Sequence, residues 1–118
     1  MKINELQKEI IDVKKQIRDL ESLATSINCE LQQDKVQSSP RQDKLESLVV
    51  KIADLKNYLQ KLEDQYEPCV TEMLNGIDNG TEYNILFRRY VLFQQWTTIE
   101  NETGYSHTRV MEINRKIT

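Results

Sequence analysis

The chain has 118 residues, 30% of them charged and 38% hydrophobic, with only three glycines and two prolines. That is room for one domain, or for a small domain attached to long helices, in a composition poor in strand and turn builders. A net charge of −3 argues against non-specific nucleic-acid binding by the chain as a whole.

The first segment repeats apolar residues at alternating intervals of three and four: Ile3, Leu6, Ile10, Val13, Ile17, Leu20, Ala24, Ile27 and Leu31. This heptad predicts a helix of about 29 residues, roughly 43 Å long at ~1.5 Å per residue. Its apolar seam is narrow, so the helix needs a partner.

The repeat stops at Gln32-Gln-Asp-Lys-Val-Gln-Ser-Ser-Pro40, and a loop is expected over about 32–39. Ser39 can cap a new helix, Pro40 fits its first position, and Gln42 completes a capping box. A second repeat runs Leu45, Leu48, Ile52, Leu55, Leu59, Leu62, Tyr66, Cys69 and Met73, and Val49 and Tyr58 widen its face enough to touch more than one neighbour. Pro68 falls inside this repeat. Its missing N–H and its clash with the preceding turn predict a kink or a break there, with the heptad phase retained. Asn75-Gly76 reads as a helix stop and Asp78-Asn79-Gly80 as a turn. Two long helices joined by a short loop are expected to pack antiparallel. A parallel dimer built on the first helix alone would leave the second without a partner.

From Thr81, a candidate cap, the pattern changes. Tyr83, Leu86, Phe87, Tyr90 and Val91 would face a core, with Phe93 and Trp96 close behind. Helices are expected at about 81–92, 96–103 and 106–117. The last two, separated by Gly104, have the spacing of a helix-turn-helix, a unit that lays its second helix in the DNA major groove. The aromatic residues, Tyr105 included, read as the core of this small domain rather than as a base-stacking platform.

Tyr90-Val-Leu-Phe-Gln-Gln-Trp-Thr-Thr-Ile-Glu-Asn-Glu-Thr-Gly-Tyr-Ser-His-Thr-Arg-Val-Met-Glu-Ile113 resembles the DNA-binding region 4 of bacterial sigma factors. It is more closely similar to small phage and prophage proteins that join this module to an N-terminal helical hairpin. These are the ArpU- and RinA-like late-transcription regulators and a related family of unknown function. Val36-Gln-Ser-Ser-Pro40 followed by Asp43-Lys-Leu45 is similar to the hairpin loop of that last family. The resemblance implies an all-α protein: a long antiparallel coiled-coil helical hairpin over 1–76, then a three-helix helix-turn-helix domain over 81–118. It also implies a phage transcription regulator in the bacterial cytoplasm, with double-stranded DNA as partner and 106–117 as recognition helix.

Carried over by position, Trp96, Ile99, Tyr105, Val110 and Ile113 would form the core of the unit. Gly104 would make the turn and Ser106 would cap the recognition helix. The side chains offered to DNA would be Ser106, His107, Thr108, Arg109, Met111, Glu112, Arg115 and Lys116. Arg109 has the reach for a bidentate contact to guanine, worth ~1–3 kcal/mol of discrimination. Ser106 and Thr108 suit phosphate or a base edge, Arg115 and Lys116 suit backbone contacts, and Arg88 and Arg89 could add phosphate contacts.

Two positions depart from the pattern. Glu100 stands where such units carry Ala at the close helix crossing, and Thr103 where they carry Leu. A carboxylate in a packed crossing costs several kcal/mol unless it turns outward or finds a partner. Either the helices are splayed, or Glu100 is paired with Arg88, Arg89 or Arg109. Charge also changes along the chain, with 11 Lys/Arg against 15 Asp/Glu over 1–80 and five against four over 81–118. Residues 97–118 balance at three and three, so a lone copy should bind DNA weakly and a homodimer or a partner would have to supply affinity.

His107 reads as an exposed helix-start residue, with no second ligand near it for a metal. Cys29 and Cys69 would lie far apart on an antiparallel pair and read as reduced, buried thiols. No phosphate-binding loop, nucleophile–base arrangement or paired carboxylate appears, so the chain reads as a non-enzyme with no catalytic residue and no cofactor. No apolar run approaches the ~20 residues of a membrane span, and Met1-Lys-Ile-Asn-Glu lacks a signal-peptide core; a soluble, cytoplasmic protein without membrane contact is expected. Two other readings stay open. One is an interaction module that binds RNA polymerase or another host protein through the hairpin, with a degenerate helix-turn-helix. The other is a small terminase-like DNA-packaging protein.

Overall fold

The computed structural model describes residues 2–34 and 39–117, with side chains for 2–29 and 42–117. Five helices account for almost all of it: α1 (Ile3–Asp34), α2 (Ser39–Asn75), α3 (Gly80–Tyr90), α4 (Trp96–Thr103) and α5 (His107–Ile117). Among the described residues there is no strand, and no helix is long and apolar enough to cross a membrane. The connection over 35–38, the burial of Leu31 and the expected cap at Ser39 lie outside what is described.

The chain divides into two compact units, residues 8–63 and residues 1–7 with 64–118. Within 8–63 the two long helices lie side by side, Lys56 Nζ 3.2 Å from a Glu21 carboxylate oxygen and the Tyr58 hydroxyl donating to Glu9 at 3.1 Å. Both contacts are exposed, and such pairs, screened by water, add little to stability. The seam carries the pairing instead. Ile10, Val13, Ile17, Ile27 and Leu48 are buried, at roughly 1.5–3 kcal/mol per side chain removed from water. Val49, Tyr58 and Val50 point outward.

The second unit begins inside α2. The helix neither ends nor breaks at Pro68, running unbroken to Asn75. An interior proline costs ~3 kcal/mol; burial of Tyr66, Val70 and Leu74 on either side of it offsets that loss. The last turns close through Gly76 N–H to the Met73 carbonyl and Ile77 N–H to that of Leu74, both at 3.2 Å. Contacts therefore group Asp64–Asn75 with the C-terminal helices, a grouping that differs from the expected 76/81 division.

Asn79, not Thr81, caps α3: its side chain accepts from the backbone N–H groups of Thr81 and Glu82 at 2.9 and 3.2 Å. Gly80 is thereby the first helical residue rather than part of a turn. The helix also stops at Tyr90, short of the expected residue 92. Phe93 takes a left-handed backbone (φ 57°), and Gln94 N–H reaches back to the Arg88 carbonyl at 3.0 Å. The edge of the Phe93 ring against Tyr66, 5.6 Å between centroids at 67°, helps hold a conformation that a bulky residue rarely adopts.

Candidate functional site

Helices α3, α4 and α5 pack on one another. Ile99 of α4 and Val110 and Ile113 of α5 are buried, together with Ile85, Leu86 and Tyr90 of α3. Between α4 and α5, Gly104 adopts φ 78° and its N–H bonds the Glu100 carbonyl at 2.9 Å, a left-handed helix stop that suits glycine. Ser106 then starts α5 by accepting from Arg109 N–H at 3.3 Å.

Other expected core positions are different. Tyr105 is exposed, its hydroxyl 3.5 Å from Thr81 Oγ1. Trp96 is half-buried beneath the Arg89 guanidinium, 4.7 Å from the ring centroid, a contact that satisfies cation and indole together. Tyr83 and Val91 face solvent, and Ile85 takes the interior place instead.

The two departures from the sigma-like pattern are accommodated locally. Glu100, its side chain 17% exposed, lies 2.6 Å from Nδ1 of His107, which is 69% exposed. Its partner is thus the histidine across the turn, not Arg88, Arg89 or Arg109. Thr103 donates its hydroxyl to the Ile99 carbonyl at 2.6 Å, so its polar atom turns back onto its own helix.

The basic side chains are mostly engaged. Arg88 pairs with Glu102 and lies 3.4 Å from side-chain oxygens of Asn84 and Gln94. Arg89 donates to the Gln94 carbonyl at 3.0 Å. Lys116 of α5 holds Glu82 of α3 at 2.7 Å. Arg109 sits 3.8 Å from Glu112, a loose pair one turn apart. Arg115 is exposed and makes no ion pair among the described residues, and Thr108 and Glu112 are exposed beside it. Met111 is half-buried.

Polar residues that carried no signal in the sequence meet at Tyr90. Its buried hydroxyl hydrogen-bonds Asn114 Oδ1 of α5 at 2.5 Å and Asn4 of α1. A hydroxyl has one hydrogen, so one of the two asparagines must turn its NH2 towards the phenol oxygen. The Tyr90 carbonyl accepts from the Tyr66 hydroxyl of α2 at 2.5 Å, and Gln7 of α1, itself buried, donates to the Arg89 carbonyl at 2.6 Å. Four helices therefore meet around two consecutive residues of α3. Burial pushes the Tyr90 phenol up to about 12; burial, and then the charge that an ionised Tyr90 would bring, push Tyr66 well above the ordinary tyrosine range.

Among the described residues no group of three or more His, Cys, Asp or Glu could hold a metal ion. Both cysteines are free, Cys29 exposed rather than buried and Cys69 half-buried. No protein-family model matches the chain, and no curated protein or solved structure is significantly similar to it.

Proposed function

We propose that α1 and α2 form an antiparallel coiled-coil hairpin and that α3–α5 form a helix-turn-helix that binds duplex DNA, with α5 in the major groove, in a transcription regulator of the phage type. The observation that carries this reading is the α4–α5 junction. A left-handed glycine, a serine cap and three buried aliphatic residues, Ile99, Val110 and Ile113, fix the crossing of a short helix on a longer one. That leaves Thr108, Glu112 and Arg115 exposed along α5. Arg115 makes no ion pair among the described residues, and a 3.8 Å pair such as Arg109–Glu112 is weak enough to exchange its carboxylate for a phosphate or a guanine.

A titration of the purified protein at two salt concentrations tests it, against duplexes from its own genomic neighbourhood and an unrelated control. The expected result is preferential binding to one local duplex, weakened by salt, and reduced about 5- to 150-fold in Arg109→Ala or Arg115→Ala with the fold intact.

A second reading has its own support. Pairs Arg88–Glu102 and Lys116–Glu82 neutralise cations around α5 from within, which favours a protein partner over a polyanion. Equal, feeble binding to every duplex, together with capture of host RNA polymerase, selects this interaction module instead.

A further inference from the structure

Glu100 and His107 face each other across the reversal at Gly104, the carboxylate of α4 lying 2.6 Å from Nδ1 of the first residue of α5. An ionised carboxylate only accepts, so Nδ1 carries the hydrogen between them and Nε2 is left outside that contact. The ring is 69% exposed and the carboxylate 17% exposed, so an approaching partner meets the ring first. When the ring is neutral, Nε2 offers a lone pair and the two side chains together carry one negative charge. When it is protonated, Nε2 offers an N–H and the pair carries no net charge. Histidine is the side chain whose charge changes between about pH 5 and 8.

Most other charges of the three packed helices are engaged elsewhere. Arg88 of α3 holds Glu102 of α4, Arg89 lies over Trp96, Glu82 of α3 holds Lys116 of α5, and Arg109 sits beside Glu112 within α5. Arg115 stands eight residues along α5 from His107, ~12 Å away by helical rise. Over residues 97–118, Glu100, Glu102 and Glu112 balance Arg109, Arg115 and Lys116, so one proton on His107 decides whether this segment is neutral or positive. We infer that the Glu100–His107 pair is a proton-operated brake on duplex binding. With the ring neutral, the uncompensated carboxylate and the Nε2 lone pair repel phosphate, and protonation of His107 removes both obstacles. The inference rests on the reading of α5 as a DNA-binding helix and adds its regulation. Because binding and protonation are linked, bound duplex must in turn hold the proton on His107 to higher pH.

Duplex titrations at about pH 7.5 and about pH 5.5 test it, on the full chain, His107→Gln and Glu100→Gln, with circular dichroism checking that each variant keeps its helices. Wild-type affinity should rise about tenfold on acidification, within the roughly tenfold per pH unit that one proton allows. His107→Gln should bind equally at both values, and Glu100→Gln should bind more tightly than wild type at the higher one. His107 is the sole histidine of the sequence, so its ring signals in proton NMR report the linkage directly: the charged ring should persist to higher pH when duplex is added. A wild type that binds its preferred duplex equally at both values overturns the inference and leaves the DNA reading standing. So does a rise that survives His107→Gln, or a ring whose charge is indifferent to duplex. Feeble, unselective binding at both values overturns the DNA reading and this inference with it.

Discussion

Replacing Tyr90 by Phe removes one oxygen from the interior and tests the junction of the four helices directly. The ring stays, so packing changes little, and the carbonyl that accepts from Tyr66 is untouched. What disappears are the contacts to Asn4 and Asn114, leaving two amides without that partner. At ~0.5–1.5 kcal/mol per hydrogen bond, the loss of the two contacts is expected to cost about 1–3 kcal/mol. The compact unit that contains Tyr90 comprises 62 residues, and a domain of that size moves by roughly 4–8 °C per kcal/mol. A midrange loss of ~2 kcal/mol therefore lowers the melting temperature by about 8–16 °C. Thermal unfolding followed by circular dichroism gives the shift, and a cycle with Asn114→Ala isolates the pair, since neighbours sharing one hydroxyl must be non-additive. A shift below about 2 °C, well under what one hydrogen bond of this kind contributes, would refute the reasoning.

Two other outcomes follow from the geometry. Gly104→Ala should cost about 1–2 kcal/mol in urea unfolding, because its left-handed backbone is strained for a side chain while no atom lies within 4 Å of the added carbon; Gly104→Asn should cost less, and equal losses would point to sterics instead. Alkaline pH should unfold the protein through Tyr66 and Tyr90, whose folded-state values lie above the ordinary 10. Their contribution is fully present below pH 10 and falls as pH rises through about 12, since the unfolded chain releases those protons first. Urea midpoints that stay level over this range, or that fall equally in Tyr90→Phe, would contradict the assignment.

The seam of the long helices was legible because a heptad encodes burial by spacing alone: Leu6, Ile10, Val13, Ile17 and Ile27 are all buried. Trp96–Thr103 likewise agrees with its expected bounds, and Gly104 and Ser106 take the turn and cap positions that the resemblance implied. Further along α2 the pattern misleads. The expected interior residues Cys69 and Met73 are only half-buried, whereas Val70 and Leu74 are buried. The buried row there is Leu62, Tyr66, Val70, Leu74, a spacing of four, as the helix leaves a two-helix seam for a broader core. On α3 the apolar residues surround more than half the helix, so periodicity could not say that Ile85 faces in and Tyr83 out. The pairing of Glu100 with His107 needs the chain reversal at Gly104. Asn4, Gln7 and Asn114 gave no sign, because an amide that bonds across helices is chosen by the backbone or hydroxyl it meets, not by a neighbour in sequence.

The distance in sequence between Asn4 and Tyr90 sets an order of events during synthesis. Translation proceeds at roughly 5–20 residues per second, and segments fold as their partners emerge. Within residues 8–63, Lys56 meets Glu21 and Tyr58 meets Glu9, so that stretch can assemble early. Asn4 and Gln7 must wait for residues 86 and 82 positions downstream, and Asn114 comes later still. Several seconds thus pass in which the Asn4 and Gln7 side chains lack these partners, and a chaperone or a neighbouring nascent chain has its opportunity there.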